Sequence, residues 1–175
     1  MVRRTTAGAA VVLAAFLLLF TQASAAYALP GTRIVSINGG RCLSVPGATN
    51  NPAEGLIIWD CDGYPDQNWY IKYERRSGGG IPYYSIRRAD NGYCVSVDAA
   101  RKDWGARVTQ YPCGSPRLYP DQYWNYRYIA QKGGHQFVNE NSGLCMGVAG
   151  GNPNNLGEVI QWPCGDWADH HWAFY

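Results

Sequence analysis

Gly40-Arg41-Cys42-Leu43-Ser44-Val45 opens a segment that runs on to Trp59-Asp60-Cys61 and closes at Gln67-Asn68-Trp69. The same grammar returns as Gly92-Tyr93-Cys94-Val95-Ser96-Val97, Tyr111-Pro112-Cys113 and Gln122-Tyr123-Trp124. It returns again as Gly143-Leu144-Cys145-Met146-Gly147-Val148, Trp162-Pro163-Cys164 and His170-His171-Trp172. In every copy the second Cys stands 19 residues after the first, and the copies recur every 51 or 52 residues. A fixed period of this size marks a repeat architecture, in which units too small to bury an apolar face alone share one core. The pairs use all six cysteines. Several connectivities are open in principle, but the repeat favours one, in which each copy closes its own loop: Cys42–Cys61, Cys94–Cys113 and Cys145–Cys164.

Working outward from the cysteines, each copy reads as short strands and tight turns. The turns Asn38-Gly39-Gly40, Asp90-Asn91-Gly92 and Asn141-Ser142-Gly143 hold residues that tolerate positive φ, as hairpins demand. Leu43-Ser44-Val45, Val95-Ser96-Val97 and Met146-Gly147-Val148 alternate in the strand manner. A polar Asn-, Gly- and Pro-rich loop follows, and then a second apolar run carrying Leu56, Val108 or Val159. After Trp69, Trp124 and Trp172 a last alternating strand begins. This gives about four strands per copy and no helix of ten or more residues after the amino-terminal segment. The pattern predicts an all-β sandwich or barrel, with three copies around an axis and Trp69, Trp124 and Trp172 in the shared core.

The amino-terminal segment reads differently. Arg3 and Arg4 precede an uncharged apolar run, Ala9 to Phe20, and the small-residue sites Ala23-Ser24-Ala25 and Ala26-Tyr27-Ala28 follow. This is the pattern of a secretory signal peptide over residues 1–28. The run is shorter than the ~20 residues that span a bilayer. Residues 29–175 then form one expected domain, with repeats at about 31–80, 81–132 and 133–175. Without Arg3 and Arg4, 13 Lys+Arg stand against 13 Asp+Glu. That balance argues against a nucleic-acid or anionic-membrane binder, which shows a basic surplus. Arg75-Arg76 and Arg87-Arg88 are expected at solvated strand or loop ends. Export to an oxidising compartment suits the paired cysteines. With no C-x-x-C and no His at ligand spacing to Cys, no metal site is expected.

These residues resemble the ricin B-type lectin domain. The likeness covers about residues 31–175 and rests on three copies of the Cys frame in register with Gln67-x-Trp69, Gln122-x-Trp124 and the variant His170-x-Trp172. The resemblance implies a β-trefoil of three repeats and a carbohydrate-binding role. It also implies where the sugar contacts lie. In the family an Asp two residues after the first Cys usually binds sugar hydroxyls; here Ser44, Ser96 and Gly147 stand there. A helping Gln four before the second Cys is replaced by Ile57, Thr109 and Ile160. The aromatic two before that Cys is kept as Trp59, Tyr111 and Trp162. The usual Asn beside the Gln-x-Trp motif is replaced by Asp66, Asp121 and Asp169.

A shallow sugar site needs an aromatic face for the apolar side of a pyranose and a few groups that fix its hydroxyls. The candidate carbohydrate contacts are therefore Ser44, Trp59 and Asp66 in the first copy and Ser96, Asp98, Tyr111 and Asp121 in the second. Asp98 is a possible substitute for the lost Asp. Trp162, Asp169 and His170 are the candidates in the third. Each has a structural alternative: the aromatics as packing, the Asp residues as turn caps, His170 as a structural donor. Gln67 and Gln122 are expected to bond backbone. Gln110 and Gln161, one place later than the family Gln, should face away. His135 and His171 are expected to face solvent, whereas Trp104 and Trp167, in loops, suit binding. The chain has no G-x-S-x-G, no H-E-x-x-H and no unpaired cysteine, so neither catalysis nor a cofactor is expected. The expected protein is a secreted, monomeric, metal-independent glycan binder. Two alternatives stand beside it: a degenerate trefoil acting in protein interaction or protease inhibition, and the targeting subunit of a secreted toxin or enzyme complex with a separately encoded partner.

Overall fold

Trp69, Trp124 and Trp172 are fully buried, and each indole N–H donates across the core to a backbone carbonyl. The acceptors are Leu43, Val95 and Met146, at 3.0, 3.0 and 3.1 Å. Each Trp thus links the strand that carries it to a hairpin strand of the same copy, and its one polar atom is satisfied inside the core. A computed structural model describes residues 31–175; the expected signal peptide lies outside the described residues.

Among the described residues thirteen strands form. The first copy contributes β1 (Ile34–Ser36), β2 (Cys42–Ser44), β3 (Glu54–Gly55), β4 (Ile57–Trp59) and β5 (Trp69–Arg76). The second contributes β6 (Pro82–Arg88), β7 (Cys94–Val97), β8 (Val108–Tyr111) and β9 (Trp124–Ile129). The third contributes β10 (Gly134–Asn139), β11 (Cys145–Val148), β12 (Gly157–Trp162) and β13 (Trp172–Phe174). The extra strand arises in the first copy, where Leu56 separates β3 from β4. Its amide and carbonyl bond Val108 and Val159, the equivalent residues of the other two copies. These three residues meet where the copies converge.

Two layers follow from the pairing. The outer strands of each copy form a barrel in the order β1, β13, β10, β9, β6, β5. Reciprocal bonds of 2.9 Å between Thr32 and Trp69 close it. The inner hairpins β2–β4, β7–β8 and β11–β12 form a triplet over one end. This is the β-trefoil arrangement. Its core holds Ile34, Ile86 and Phe137 at the position eight before each first Cys, together with Leu43, Val95, Met146 and the three Trp. The disulfides pair Cys42–Cys61, Cys94–Cys113 and Cys145–Cys164 as the repeat indicates. The hairpin glycines Gly40, Gly92 and Gly143 sit at φ of 70°, 75° and 73°, where a side chain is strained. Among the described residues no helix is long and apolar enough to cross a membrane.

Three surface expectations fail. Arg88 is buried, at 1% exposure. Its guanidinium donates to the carbonyls of Ala48 and Thr49 and to Gln110 Oε1 at 3.0, 2.6 and 2.8 Å, and pairs with Asp90 at 2.7 Å. The position six before each first Cys (Ser36, Arg88, Asn139) is enclosed in every copy, so this Arg holds a neighbouring loop and does not end a strand in water. His171 is also enclosed. A carbonyl can only accept, so its Nδ1 donates to Trp167 O at 2.7 Å. His135 is half-buried and stacks on Phe174, with ring centroids 4.4 Å apart.

Candidate functional site: three clefts on the hairpin triplet

Each copy ends its first inner strand in a tight turn whose backbone enters the left-handed region: Gly47 at φ 60°, Ala99 at 50° and Gly150 at 62°. The turn bends away from the following strand and leaves a cleft between them. The first cleft, about 470 Å³, includes Ser44, Ile57, Trp59, Tyr64 and Asp66 in its lining. The second, about 540 Å³, includes Ser96, Asp98, Thr109, Tyr111, Tyr119 and Asp121. The third, about 420 Å³, includes Ile160, Trp162, Trp167, Asp169 and His170. All ten residues expected at a sugar site therefore line one of three equivalent clefts. A larger groove of about 1190 Å³ lies elsewhere; its lining includes the ion pairs Arg75–Glu140 and Arg87–Glu74.

The carboxylates enter from the short 3-10 turns Pro65–Gln67, Pro120–Gln122 and Ala168–His170. In the first cleft Asp66 Oδ2 accepts from Ser44 Oγ at 2.5 Å and from the Val45 amide at 2.9 Å. In the second, Asp121 Oδ2 accepts from the Ser96 hydroxyl and from the Val97 amide at 2.9 Å. Both bonds fall on Oδ2, and Oδ1 of each carboxylate accepts none among the described residues. Asp66 and Asp121 are 2% and 3% exposed. Ser44 and Ser96 thus act on the carboxylate: they hold it, and their own acceptor lone pairs remain. In both copies the carboxylate enters the cleft from the turn and not from the strand.

The third cleft is built differently. A Cβ placed on Gly147 would lie 2.5 Å from His170 Cδ2 and 2.8 Å from its Nε2. The imidazole occupies the space that Ser44 and Ser96 fill in the other copies. His170 Nε2 stands 3.5 Å from Asp169 Oδ2, and the ring packs edge-on against Trp167 at 5.1 Å between centroids. Its Nδ1 has no partner among the described residues. Burial pushes the His170 pKa down, Asp169 opposes this and His171 adds to it. The imidazole is therefore a neutral group on the cleft wall near pH 7.

The Gln that His170 replaces works outside the cleft. Gln67 accepts from the Gly63 amide at 3.2 Å and donates to Asp60 O at 2.7 Å. Gln122 accepts from the Gly114 and Tyr119 amides and donates to Pro112 O at 3.0 Å. Both tie down the loop after the second Cys. In the third copy Gln136 does this from a barrel strand, donating to Gly165 O at 2.7 Å, which leaves His170 free to turn inward. Gln110 and Gln161 face away from the clefts, as expected. They are fully buried and bond the loops of neighbouring copies.

One wall of each cleft had no role assigned from sequence in the first two copies. Tyr64, Tyr119 and Trp167 all stand five residues before the closing Trp and are 55%, 50% and 53% exposed. An aromatic at the same offset in all three copies was the available signal. Each lines the same cleft as a floor aromatic, Trp59, Tyr111 (40% exposed) or Trp162 (38% exposed), and Tyr119 meets Tyr111 edge-on at 6.1 Å between centroids.

A family model described as the ricin-type beta-trefoil lectin domain matches residues 30–172. The chain belongs to this family. No curated protein matches it in sequence. Solved structures share the fold at low identity. A designed three-fold symmetric protein, ThreeFoil, superposes with a TM-score of 0.74 and 21% identity, covering 83% of this chain and 98% of that one. An exo-beta-1,3-galactanase from Clostridium thermocellum gives 0.73 and 21%, covering 83% of this chain and 30% of that one. A ricin B-like lectin from Macrolepiota procera, solved with lactose, gives 0.63 and 14%, covering 83% and 94%. For this ricin-type trefoil these likenesses show the fold alone.

Proposed function

We propose that the protein is a secreted glycan-binding module that binds reversibly through its three clefts, without metal and without chemistry on its ligand. The observation that carries this reading is the recurrence, three times, of a solvent-reaching aromatic floor and a turn carboxylate in one cleft. In two copies one oxygen of that carboxylate remains unbonded. A floor of this kind takes the apolar face of a pyranose, and the free oxygen accepts from a hydroxyl. The lectin domain family and a lactose-bound neighbour support the ligand class. The three disulfides suit an extracellular protein. Similar trefoils form part of a galactanase and of a mosquitocidal holotoxin, which supports a targeting role on a polymer or cell surface. Single clefts this shallow bind weakly, and three together gain avidity on a repeating glycan, by ~10²–10⁴ when geometry permits.

The test is a glycan and polysaccharide array probed with residues 29–175. Binding should survive EDTA and should disappear in the combined variant Trp59→Ala, Tyr111→Ala, Trp162→Ala. Silence of the native protein at high density, or binding indifferent to that variant, overturns the reading.

A further inference from the structure

The three clefts differ most at the wall supplied by another copy. Leu156 lines the first cleft and Ala53 the second. These residues stand 11 places after the first Cys of their own copies, and Trp104 stands 10 places after Cys94. Trp104 belongs to the second copy but packs over the third. Its ring centroid is 5.7 Å from that of Trp162, the planes tilt by 55°, and the side chain is 65% exposed. Such exposure leaves most of a large apolar ring in water beside a candidate sugar floor.

The placement is held from below. Gln161, fully buried on β12, donates to the carbonyls of Arg101 and Asp103 at 2.9 and 3.0 Å. Ser142 donates to its Oε1 at 2.7 Å, and its backbone carbonyl accepts from the Gly105 amide at 2.9 Å. Gly105 takes φ +80°, and a Cβ there would lie 3.8 Å from the Trp162 ring. The loop is therefore fixed across the boundary between copies, and the Trp104 face is pre-organised, which lowers the ordering cost of binding.

We infer that Trp104 forms a second sugar subsite of the third cleft. This cleft then takes an oligosaccharide of at least two pyranose units, one on Trp162 and the next against Trp104. The clefts bounded by Leu156 and Ala53 take a single unit. The inference rests on the glycan-binding reading above. Two aromatic planes tilted against each other suit successive rings that rotate about their glycosidic bond, and one plane covers only one ring.

The experiment titrates the mature chain, carrying Trp59→Ala and Tyr111→Ala so that only the third cleft reports. The probes are β-1,3-galacto-, xylo-, cello- and manno-oligosaccharides of one to four units. In the series that binds, affinity should rise about tenfold from the monosaccharide to the di- or trisaccharide. Adding Trp104→Ala should bring that ratio to about one, Trp104→Phe should restore part of it, and the indole N–H resonance of Trp104 should move only with the longer probes. An unchanged ratio in Trp104→Ala, or equal losses for one unit and several, overturns the subsite. If the native protein itself binds no probe, the glycan-binding reading fails and the subsite falls with it.

Discussion

Exchanging Gly147 and His170 for the residues of the first two copies tests whether the third cleft is a compensated pair. Gly147→Ser alone would place a Cβ 2.5 Å from His170 Cδ2 inside a closed region. Gly147 is a strand residue on β11 and its φ is not positive, so the backbone accepts the serine and the whole cost is overpacking. Such insertions cost about 1–3 kcal/mol. At roughly 3 °C per kcal/mol for a domain of this size, the melting temperature should fall by about 3–9 °C. His170→Gln alone removes the ring from Trp167 and opens the space beside Gly147, a loss of about 1 kcal/mol. Together the two changes rebuild the arrangement in which a serine hydroxyl donates to the turn carboxylate, as Ser44 does to Asp66. The double variant should therefore be more stable than the sum of the singles by at least ~1 kcal/mol. Urea unfolding of the four proteins in a double-mutant cycle measures this. Additivity within about 0.5 kcal/mol, or a Gly147→Ser protein as stable as the native, would refute the argument that the imidazole occupies the serine's place.

Replacing Cys94 and Cys113 together by Ser should destabilise by about 3 kcal/mol in the chain-entropy model and lower the melting temperature by roughly 10 °C; an unaltered thermal scan contradicts it. Arg88→Ala should cost about 3 kcal/mol, because it strips partners from the Ala48 and Thr49 carbonyls and from Gln110. Urea titration checks this, and a loss below 1 kcal/mol would make the buried guanidinium dispensable. Burial lowers the pKa of His135 and His170, so the fold favours their neutral forms and the unfolded chain binds more protons. Their stability contribution is present above the ordinary His pKa of ~6.5 and is lost as pH falls through it. Melting temperatures measured from pH 7.5 to 5.5 should decline, less steeply in His170→Gln, and a flat profile would sink the assignment.

Fold and repeat were legible because the observations that carry them are local and periodic. Cys–Cys spacing, the hairpin glycines and the closing Trp each mark a fixed point on a strand, and three registers agree. The residues of the three clefts were legible as positions but less as contacts. Ser44 and Ser96 stood where a sugar contact was expected, and in the fold they brace Asp66 and Asp121. That relation spans 22 and 25 residues and has no strand or helix period to reveal it. The enclosure of Arg88 and His171 is hidden in the sequence for a related reason. Charged and titratable side chains are mostly exposed, so solvent is the ordinary expectation; here each is enclosed by a loop from elsewhere in the chain. Trp104 could be seen as an exposed loop aromatic, but the copy it leans on depends on the threefold closure.

The comparison of the three clefts separates scaffold from site in physical terms. Groups that bond backbone within the core, such as the three indoles and the buried Gln110 and Gln161, are constrained by desolvation: removing one leaves an orphaned donor or acceptor. The aromatics lining the clefts meet water on one side, so exchanging one for another leaves no such orphan. That asymmetry explains why the closing Trp is the same in all copies, while the floor varies between Trp and Tyr and the outer wall runs from Ala53 through Leu156 to Trp104. At the strand position Ser44 and Ser96 stand beside the Val45 and Val97 amides, and Asp66 and Asp121 accept from those amides from the turn. In the third copy Asp169 takes no such bond from Val148 among the described residues, and the imidazole of His170 stands beside it instead. Three copies of one scaffold thus hold two clefts with a serine-braced carboxylate and a third in which the imidazole of His170 fills the serine's place.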